Sequence, residues 1–284
     1  MSSPLEEPHP PSSRLSIGRQ TKLCLSLSGR PGTFGSRFHN HLFAACGLDY
    51  VYKAFTTSDL RAAIGGVRAL GIRGCAVSMP FKEACLPLLD RLAPSASAID
   101  SVNTIVNDAG QLTGHNTDYA AIGTLLARHG VAESSRFVVR GSGGMAKAVV
   151  AALHDAGFRD GTIVARNQAA GSALASAYGF DFQQELTTQR PALLINVTPI
   201  GMSGGPDQHA LAFAAEAIDA AEFVFDVVAL PVQTPLISAA RRAGKKTISG
   251  DEVIVLQAVA QFVLYTGQRP SDAQIAAAAR FALA

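Results

Sequence analysis

The sequence predicts an α/β protein of two domains with a cleft between them. Short apolar runs alternate with helical segments through the first half, which is typical of a sheet dominated by parallel strands. A buried-strand pattern, a glycine-rich turn and a helix then follow one another at residues 137–156, the order found in a Rossmann domain. With 284 residues the chain is long enough for two hydrophobic cores.

The composition excludes several functional classes. The net charge is only +2 and there is no block of Lys or Arg, so we expect no nucleic-acid partner. The richest apolar run, 253–265, is shorter than the ~18 residues of a membrane span. The N-terminus lacks a secretory signal, and we expect a cytoplasmic protein. Its four cysteines have no metal-ligand spacing, so we predict no metal site and four buried free thiols, Cys24, Cys46, Cys75 and Cys85.

The first half is predicted to alternate strands with helices after an unstructured start. Residues 1–20 are rich in Pro, Ser and Glu and predict a disordered extension. Gly47 and Gly71 end two helices, and Pro80 presets the start of a third. The predicted helices are 37–46, 59–70 and 81–92, with a turn-rich loop at 29–36. The predicted strands are 21–28, 50–55 and 74–78, followed by a hairpin of 101–107 and 112–115 around Asp108-Ala-Gly110.

The second half is predicted to continue as a nucleotide-binding domain. A helix at 119–129 leads into strands at 137–139, 161–165, 193–197 and 223–228, with a helix at 145–156 after the first of them. Two final helices, 251–266 and 273–284, follow the last strand and can fold back on the first domain. We therefore expect domain limits of 21–118, with 250–284 added, and 119–249.

The glycine-rich turn predicts a pyrophosphate site. Gly141 allows the turn, Gly143 lets backbone N–H groups approach the phosphates, and Ala146 lets the following helix pack close to the strand. The alternative is a glycine-rich turn without a ligand.

The cofactor is predicted from the end of the next strand. An NAD-binding protein usually carries Asp or Glu ~20 residues beyond the glycines. Arg166 stands there instead, and a guanidinium can pair with a 2′-phosphate, so NADP is favoured over NAD. The alternative is an arginine that ends the strand in solvent.

Three polar clusters at strand ends or loops are candidates for chemistry. Lys82 begins a helix, where the helix dipole disfavours a cation, so it is either a functional amine or a solvated surface residue. Asn103 and Asn116 offer hydrogen bonds to a polyol. Asp118 can pair with Lys82 or exchange protons, and the Asn116–Asp118 segment can equally be a helix N-cap.

Seven motifs follow one another in the order of the shikimate dehydrogenase family. They are Val77-Ser-Met-Pro-Phe-Lys82, Ser101-Val-Asn-Thr104, Asn116-Thr-Asp118, Gly141-Ser-Gly-Gly144, Ala165-Arg-Asn167, Asn196-Val-Thr198 and Val255-Leu-Gln-Ala258. The chain resembles this family over residues 22–284, most closely its shikimate dehydrogenase-like branch. The resemblance implies reversible NADP-dependent oxidoreduction of shikimate and 3-dehydroshikimate, a step toward chorismate and the aromatic amino acids. It also implies an N-terminal substrate domain, a C-terminal Rossmann domain that binds NADP, and a monomer or homodimer.

The resemblance also implies a role for individual residues. Lys82 and Asp118 match the catalytic pair. The implied substrate ligands are Ser36, Ser78, Asn103 and Gln257, with Ser78 standing where the family usually has Thr. The implied cofactor ligands are Gly141, Ser142, Gly143, Gly144, Met145, Ala146, Arg166, Thr198 and Gly250.

Three departures from the family pattern imply a weak or shifted activity on shikimate. The loop that usually holds the substrate carboxylate with paired serines retains Ser36, with Arg37 or Ser26 as possible substitutes. No second arginine follows Arg166 nearby, and an aromatic residue usually found after Asp226 is absent. Quinate or another hydroxy acid is the alternative substrate, and a dinucleotide-binding protein without turnover is the non-enzymatic alternative.

Overall fold

The structure, a computed structural model, describes residues 17–186 and 190–284. These residues form an α/β fold with two six-stranded sheets, which confirms the predicted fold class. The first 16 residues of the predicted disordered extension lie outside the described residues.

The first sheet has the strand order β2-β1-β3-β5-β6-β4. Its elements are β1 (Lys22–Leu27), α1 (Phe34–Ala45), β2 (Tyr50–Phe55), α2 (Leu60–Ala69), β3 (Gly74–Val77), α3 (Phe81–Ala84), β4 (Arg91–Leu92), α4 (Pro94–Ser97), β5 (Thr104–Asp108) and β6 (Gln111–His115). Strands β1, β2 and β3 pair in parallel, so their carboxyl ends share one edge. The predicted hairpin is present as β5 and β6, although its first strand begins three residues late, at Thr104.

The second sheet is parallel throughout, in the order β12-β11-β10-β7-β8-β9. Its elements are α5 (Thr117–Arg128), β7 (Phe137–Arg140), α6 (Gly144–Asp155), β8 (Gly161–Val164), α7 (Gln168–Tyr178), β9 (Asp181–Gln183), β10 (Leu193–Asn196), α8 (Ala215–Ala220), β11 (Phe223–Asp226), α9 (Pro235–Arg242) and β12 (Lys246–Ile248). Counted from β7, this is the Rossmann order 3-2-1-4-5-6, which places the glycine turn at the centre of the sheet, where strand order reverses.

The last two helices, α10 (Gly250–Thr266) and α11 (Asp272–Leu283), return to the first sheet. Phe262 and Ala278 share a hydrophobic cluster with Phe38 of α1. The ring of Tyr265 lies against β3 at Gly74, where a Cβ atom would come within 2.2 Å of it.

The prediction of a single helix over residues 81–92 is wrong. Helix α3 ends at Ala84, and a single 3₁₀ turn at Leu86–Leu88 leads into β4. Pro87 accounts for the difference, because proline has no N–H to donate and its ring clashes with the carbonyl four residues earlier. The short β4 then pairs with β6.

Helix α1 begins earlier than predicted. It starts at Phe34 rather than Arg37, because Phe34 and Phe38 are both buried and stack with their ring centroids 5.3 Å apart. Ser36 therefore lies in the first turn of the helix, not in the predicted loop, and Arg37 is the fourth residue of the helix rather than its first.

All four thiols are free, but the prediction that all are buried is wrong for one of them. Cys46 is half-buried, while Cys24, Cys75 and Cys85 are buried. Burial raises the pKa of Cys24 and of Cys85 to about 12, so both stay protonated at neutral pH. In the described part of the chain, no helix is long and apolar enough to cross a membrane.

Candidate active site

Lys82 and Asp118 form an ion pair at the edge of the first sheet. Lys82 lies on α3, just beyond the carboxyl end of β3, and its Nζ donates to Oδ2 of Asp118 at 2.6 Å. The pair is shielded from water, with side-chain exposures of 16% for Lys82 and 1% for Asp118. Asn116 caps α5 by accepting from the N–H groups of Asp118 and Tyr119. Capping and pairing thus coexist, since the cap presents Asp118 to Lys82.

Two buried oxygens, one in this pair and one beside it, have no hydrogen-bond partner among the described residues. They are Oδ1 of Asp118 and Oγ of Ser101. Ser101 also faces the glycine turn, because a Cβ atom on Gly144 would lie 2.9 Å from its Oγ and 3.5 Å from Cδ of Lys82. Buried polar atoms normally have partners. This site therefore offers unused hydrogen-bonding capacity where the two sheets meet.

The buried Asn103 forms hydrogen bonds with two helices, α5 and α10, beside the pair. Its Nδ2 donates to Oγ1 of Thr117 at 2.9 Å and to Oε1 of Gln257 at 3.3 Å. Oδ1 of Asn103 accepts from the backbone N–H of Thr117 at 2.9 Å. Its amide is therefore largely committed to orienting α5 and α10, and the amide nitrogen of Gln257 remains as a donor.

Asn116 is not available to a polyol, contrary to our expectation. It is buried, its Oδ1 caps α5, and its Nδ2 donates to the carbonyl of Ser101 at 2.9 Å. Sequence reasoning missed Gln261, which is buried one turn after Gln257 and donates to Oγ1 of Thr104 at 3.1 Å. The four-residue spacing of these two glutamines on one helix was the signal that could have identified it.

The remaining predicted substrate ligands lie at the carboxyl ends of the parallel strands. Ser36 is half-buried, and its Oγ accepts from the N–H of Ala54 at 3.2 Å near the end of β2. Ser78 is exposed directly after β3. Arg37 packs against α11 instead, because its guanidinium lies 4.6 Å from the ring centroid of Phe281. Arg37 therefore does not serve as the substitute carboxylate ligand in this conformation.

The glycine turn has the shape required for a phosphate. Gly141 has φ +131°, and a Cβ atom there would come 2.6 Å from Cγ2 of Val197. At Gly143 a Cβ atom would meet nothing within 4 Å, so the backbone is open to a ligand. Ser142 and Met145 are partly exposed around it. Ala146 is fully buried, which allows α6 to pack closely on β7.

The other predicted cofactor ligands lie along the same carboxyl edge. Arg166 is exposed after β8, and Asn167 caps α7 by accepting from the N–H of Ala170. Thr198 follows β10 and donates to Oδ1 of Asn196 at 2.6 Å. Gly250 begins α10 and is buried so tightly that a Cβ atom would come within 2.3 Å of the Val228 backbone.

A buried polar cluster fixes the ends of β10 and β11 next to Thr198. Asp226 accepts from Nδ2 of Asn196 at 3.0 Å and from Oγ1 of Thr234 at 2.6 Å. Burial raises the pKa of Asp226 to about 6, although the hydrogen bonds it accepts oppose this shift. The cluster holds the loops after both strands in place.

Comparison with known proteins identifies what this arrangement resembles. Residues 33–105 match the family described as shikimate dehydrogenase substrate binding domain. A shikimate dehydrogenase-like protein of Haemophilus influenzae is 57% identical, over 94% of this chain and 98% of that protein. A shikimate dehydrogenase (NADP(+)) of Pelodictyon phaeoclathratiforme is 34% identical, over 88% and 94% respectively. The crystal structure of shikimate 5-dehydrogenase from Thermus thermophilus, in complex with NADP(H) and shikimate, is 29% identical and covers 92% of this chain and 100% of that one, with a TM-score of 0.82.

Proposed function

Because the chain belongs to the shikimate dehydrogenase family, we propose that it catalyses the NADP-dependent, reversible oxidoreduction of shikimate and 3-dehydroshikimate. Residues 21–118 together with 250–284 are the proposed substrate domain, and residues 119–249 the proposed NADP domain. The reacting groups then meet in the cleft between the two sheets.

The observation that carries this proposal is the buried pair of Lys82 and Asp118. Their 2.6 Å contact lies next to Gly144, the first residue of α6 in the glycine turn. A general acid or electrostatic group of a dehydrogenase must be close to both the substrate and the cofactor. An ion pair that only stabilised the fold would leave Oδ1 of Asp118 an unexplained, unpartnered acceptor.

The residues present fit a dinucleotide phosphate. A side chain at Gly141 would clash with Val197 and one at Gly144 with Ser101, and no side chain of the described residues caps the first N–H groups of α6, which a helix start offers to an anion. Arg166 is exposed, and no ion pair or hydrogen bond of its side chain is found in the part of the chain that the structure describes. We therefore assign the phosphates to the turn and the 2′-phosphate to Arg166.

The protein's own contribution to catalysis is electrostatic. When NADP is bound, its nicotinamide supplies or accepts the hydride. The Lys82 ammonium can donate to the substrate oxygen and stabilise the negative charge that develops on it. Asp118 keeps Lys82 oriented through Oδ2 and can accept from a neighbouring substrate hydroxyl through Oδ1. Ser36, Ser78 and Gln257 are the proposed ligands for the rest of the substrate.

A hydroxy acid related to shikimate, such as quinate, is the second candidate substrate. The observation that favours it is the position of Arg37 on Phe281, which leaves Ser36 as the remaining predicted carboxylate ligand on α1. A site with fewer carboxylate donors binds shikimate less tightly and discriminates less between acids of similar shape.

Steady-state assays with shikimate and quinate, each with NADP and NAD, test the proposal. We expect turnover with shikimate and NADP, and Lys82→Met should lower kcat by about a hundredfold or more while leaving the Kd for NADP within a few-fold. Lys246→Met is the matched control, because Lys246 is exposed on the edge strand β12 and pairs with Glu222. Absence of turnover with every acid tested would favour a dinucleotide-binding protein without catalysis. An unchanged kcat for Lys82→Met would contradict the role given to Lys82.

A further inference from the structure

A second guanidinium lies next to the predicted 2′-phosphate site. Arg140 is the last residue of β7, immediately before the glycine turn. In the sheet register Arg140 is paired with Val164 of β8, and Val164 with Gln183 of β9. Paired residues on neighbouring strands point to the same face of a sheet. Arg140 and Gln183 therefore flank the strand end from which Arg166 follows.

Both side chains carry a buried polar atom without a partner. Nε of Arg140 and Oε1 of Gln183 make no hydrogen bond with residues 17–186 or 190–284. The Arg140 guanidinium lies 5.3 Å from the ring centroid of Phe213, and no carboxylate of the described residues comes within 4.0 Å of it. Burial of a donor without a partner costs free energy. The contact with Phe213 also holds the guanidinium in one orientation.

The pKa of the Arg140 guanidinium reflects its burial and two neighbouring charges. Burial lowers the pKa of the Arg140 guanidinium, the charge of Glu185 raises it, and the positive charge of Arg166 lowers it. Two cations, Arg140 at the end of β7 and Arg166 just beyond β8, thus stand at adjoining strand ends, and the Glu185 carboxylate opposes their repulsion. An anion bound between them would offset both the desolvation of Arg140 and this repulsion.

The following inference rests on the proposed function. We propose that Arg140 is a specificity-determining residue that binds the 2′-phosphate of NADP together with Arg166. The ribose of a dinucleotide lies at the end of the second Rossmann strand, here β8. The next basic residue after Arg166 in the chain is Arg190, so α7 supplies no second cation. Arg140 supplies it from the preceding strand, with a planar fork suited to phosphate oxygens.

Titration calorimetry with two nucleotides that differ by the 2′-phosphate tests this proposal. The probes are 2′,5′-ADP and 5′-AMP, so that no turnover is needed. Arg140→Met, which keeps a long side chain over Phe213, should weaken 2′,5′-ADP by about tenfold to a hundredfold and leave 5′-AMP nearly unchanged. Arg136→Met is the control, because Arg136 precedes β7 at its amino end and pairs with Asp160. That variant should bind both nucleotides as the wild type does.

Three results would overturn the assignment of Arg140 or its premise. Wild-type affinity of Arg140→Met for 2′,5′-ADP would exclude Arg140 from the phosphate site while leaving the proposed NADP preference intact. Equal weakening of both nucleotides would reassign Arg140 to support of the strand edge. A wild-type protein that binds 2′,5′-ADP no more tightly than 5′-AMP would instead refute the NADP preference itself.

A third variant keeps the test decisive if Arg140→Met fails to fold. Arg140→Lys keeps the charge but cannot form a bidentate pair. We expect it to bind 2′,5′-ADP several-fold more weakly than the wild type, with 5′-AMP unaffected. If Arg140→Met does not fold, unchanged discrimination by Arg140→Lys would overturn the proposal.

Discussion

The first turn of α1 presents Ser36 and Arg37 in different directions. Ser36 contacts Ala54 at the end of β2, and its hydroxyl hydrogen remains free to donate. Arg37 packs on Phe281 of α11 instead. Ser36→Ala should therefore raise the KM for shikimate by about tenfold, the effect of losing one hydrogen bond to a charged group. Arg37→Met should change this KM little, and steady-state kinetics of both variants measures the difference.

The opposite pattern would contradict this assignment. If Ser36→Ala leaves the KM for shikimate unchanged while Arg37→Met abolishes saturation by shikimate, Arg37 must turn away from Phe281 when substrate binds. The carboxylate site would then be built around the guanidinium.

His39 makes the free energy of unfolding depend on pH. It is fully buried and stacks on Tyr52 with centroids 4.5 Å apart, and burial lowers its pKa from 6.5 to about 3. The folded protein therefore keeps His39 neutral, whereas the unfolded chain takes up a proton below about pH 6.5. Stability contributed by the neutral ring is complete above that pH and falls by about 1.4 kcal/mol per pH unit between about pH 6 and pH 3.

Replacing His39 by a ring that cannot titrate tests this dependence. His39→Phe should keep the aromatic stacking, and it removes the proton that His39 takes up when the protein unfolds at acidic pH. Urea unfolding of wild type and variant at pH 7, 5.5 and 4.5 measures it. Parallel pH curves for the two proteins would show that His39 does not contribute.

At the scale of elements, the start of α10 depends on a glycine for packing. A Cβ atom on Gly250 would come within 2.3 Å of the Val228 backbone, whereas one on Gly123, in the middle of α5, would meet nothing within 4 Å. Gly250→Ala should lower stability by about 1–3 kcal/mol, because backbone cannot move aside cheaply. Gly123→Ala should raise it by about 0.5–1 kcal/mol through helix propensity. Thermal unfolding compares them, and equal melting temperatures would contradict this packing account.

Elements with a clear hydrophobic pattern were predictable from the sequence. Elements whose ends depend on a single residue, or that lack such a pattern, were not. Strand β2 was predicted at residues 50–55, where the structure has it, because its apolar run is bounded on both sides. Helix α3 was predicted eight residues too long, because periodicity does not register the effect of Pro87. The two-residue β4 is exposed, so it has no hydrophobic signal to detect.

The site was predictable as a set of residues but not as a set of contacts. Motif order identified Lys82 and Asp118, which lie 36 residues apart and pair in space. The bond from Asn103 to Gln257 joins positions 154 residues apart, and no local pattern encodes it. Arg140 escaped notice because it follows an apolar run whose length already accounted for a strand. Its significance depends on Phe213, against which its guanidinium packs, and on Gln183, which lies two strands away beyond Val164, and only the folded protein brings these residues together.

At the scale of the whole molecule, side chains outside the two sheets link the two halves. Nζ of Lys147 on α6 lies 3.1 Å from Oε1 of Glu83, the neighbour of Lys82. Arg30, after β1, donates to the carbonyl of Gly204 at 3.2 Å. Both contacts are partly solvent-exposed, and an exposed ion pair such as that of Lys147 with Glu83 contributes only about 0–1 kcal/mol. They therefore add little to the free energy that holds the two halves together.

The path of the chain predicts which half depends on the C-terminal helix. Helix α11 follows the nucleotide half in sequence but packs on α1, where Ala278 is fully buried. Ala278→Asp places a charge in that interface and should destabilise the substrate half by several kcal/mol. Ala276→Asp, on an exposed position of the same helix, is the matched control. We expect hydrogen exchange of Ala278→Asp to lose protection in β1, β2 and α1 while β7, β8 and β10 retain it. Equal loss in both sheets would show that the molecule opens as one unit, and the division into residues 21–118 with 250–284 and residues 119–249 would then be wrong.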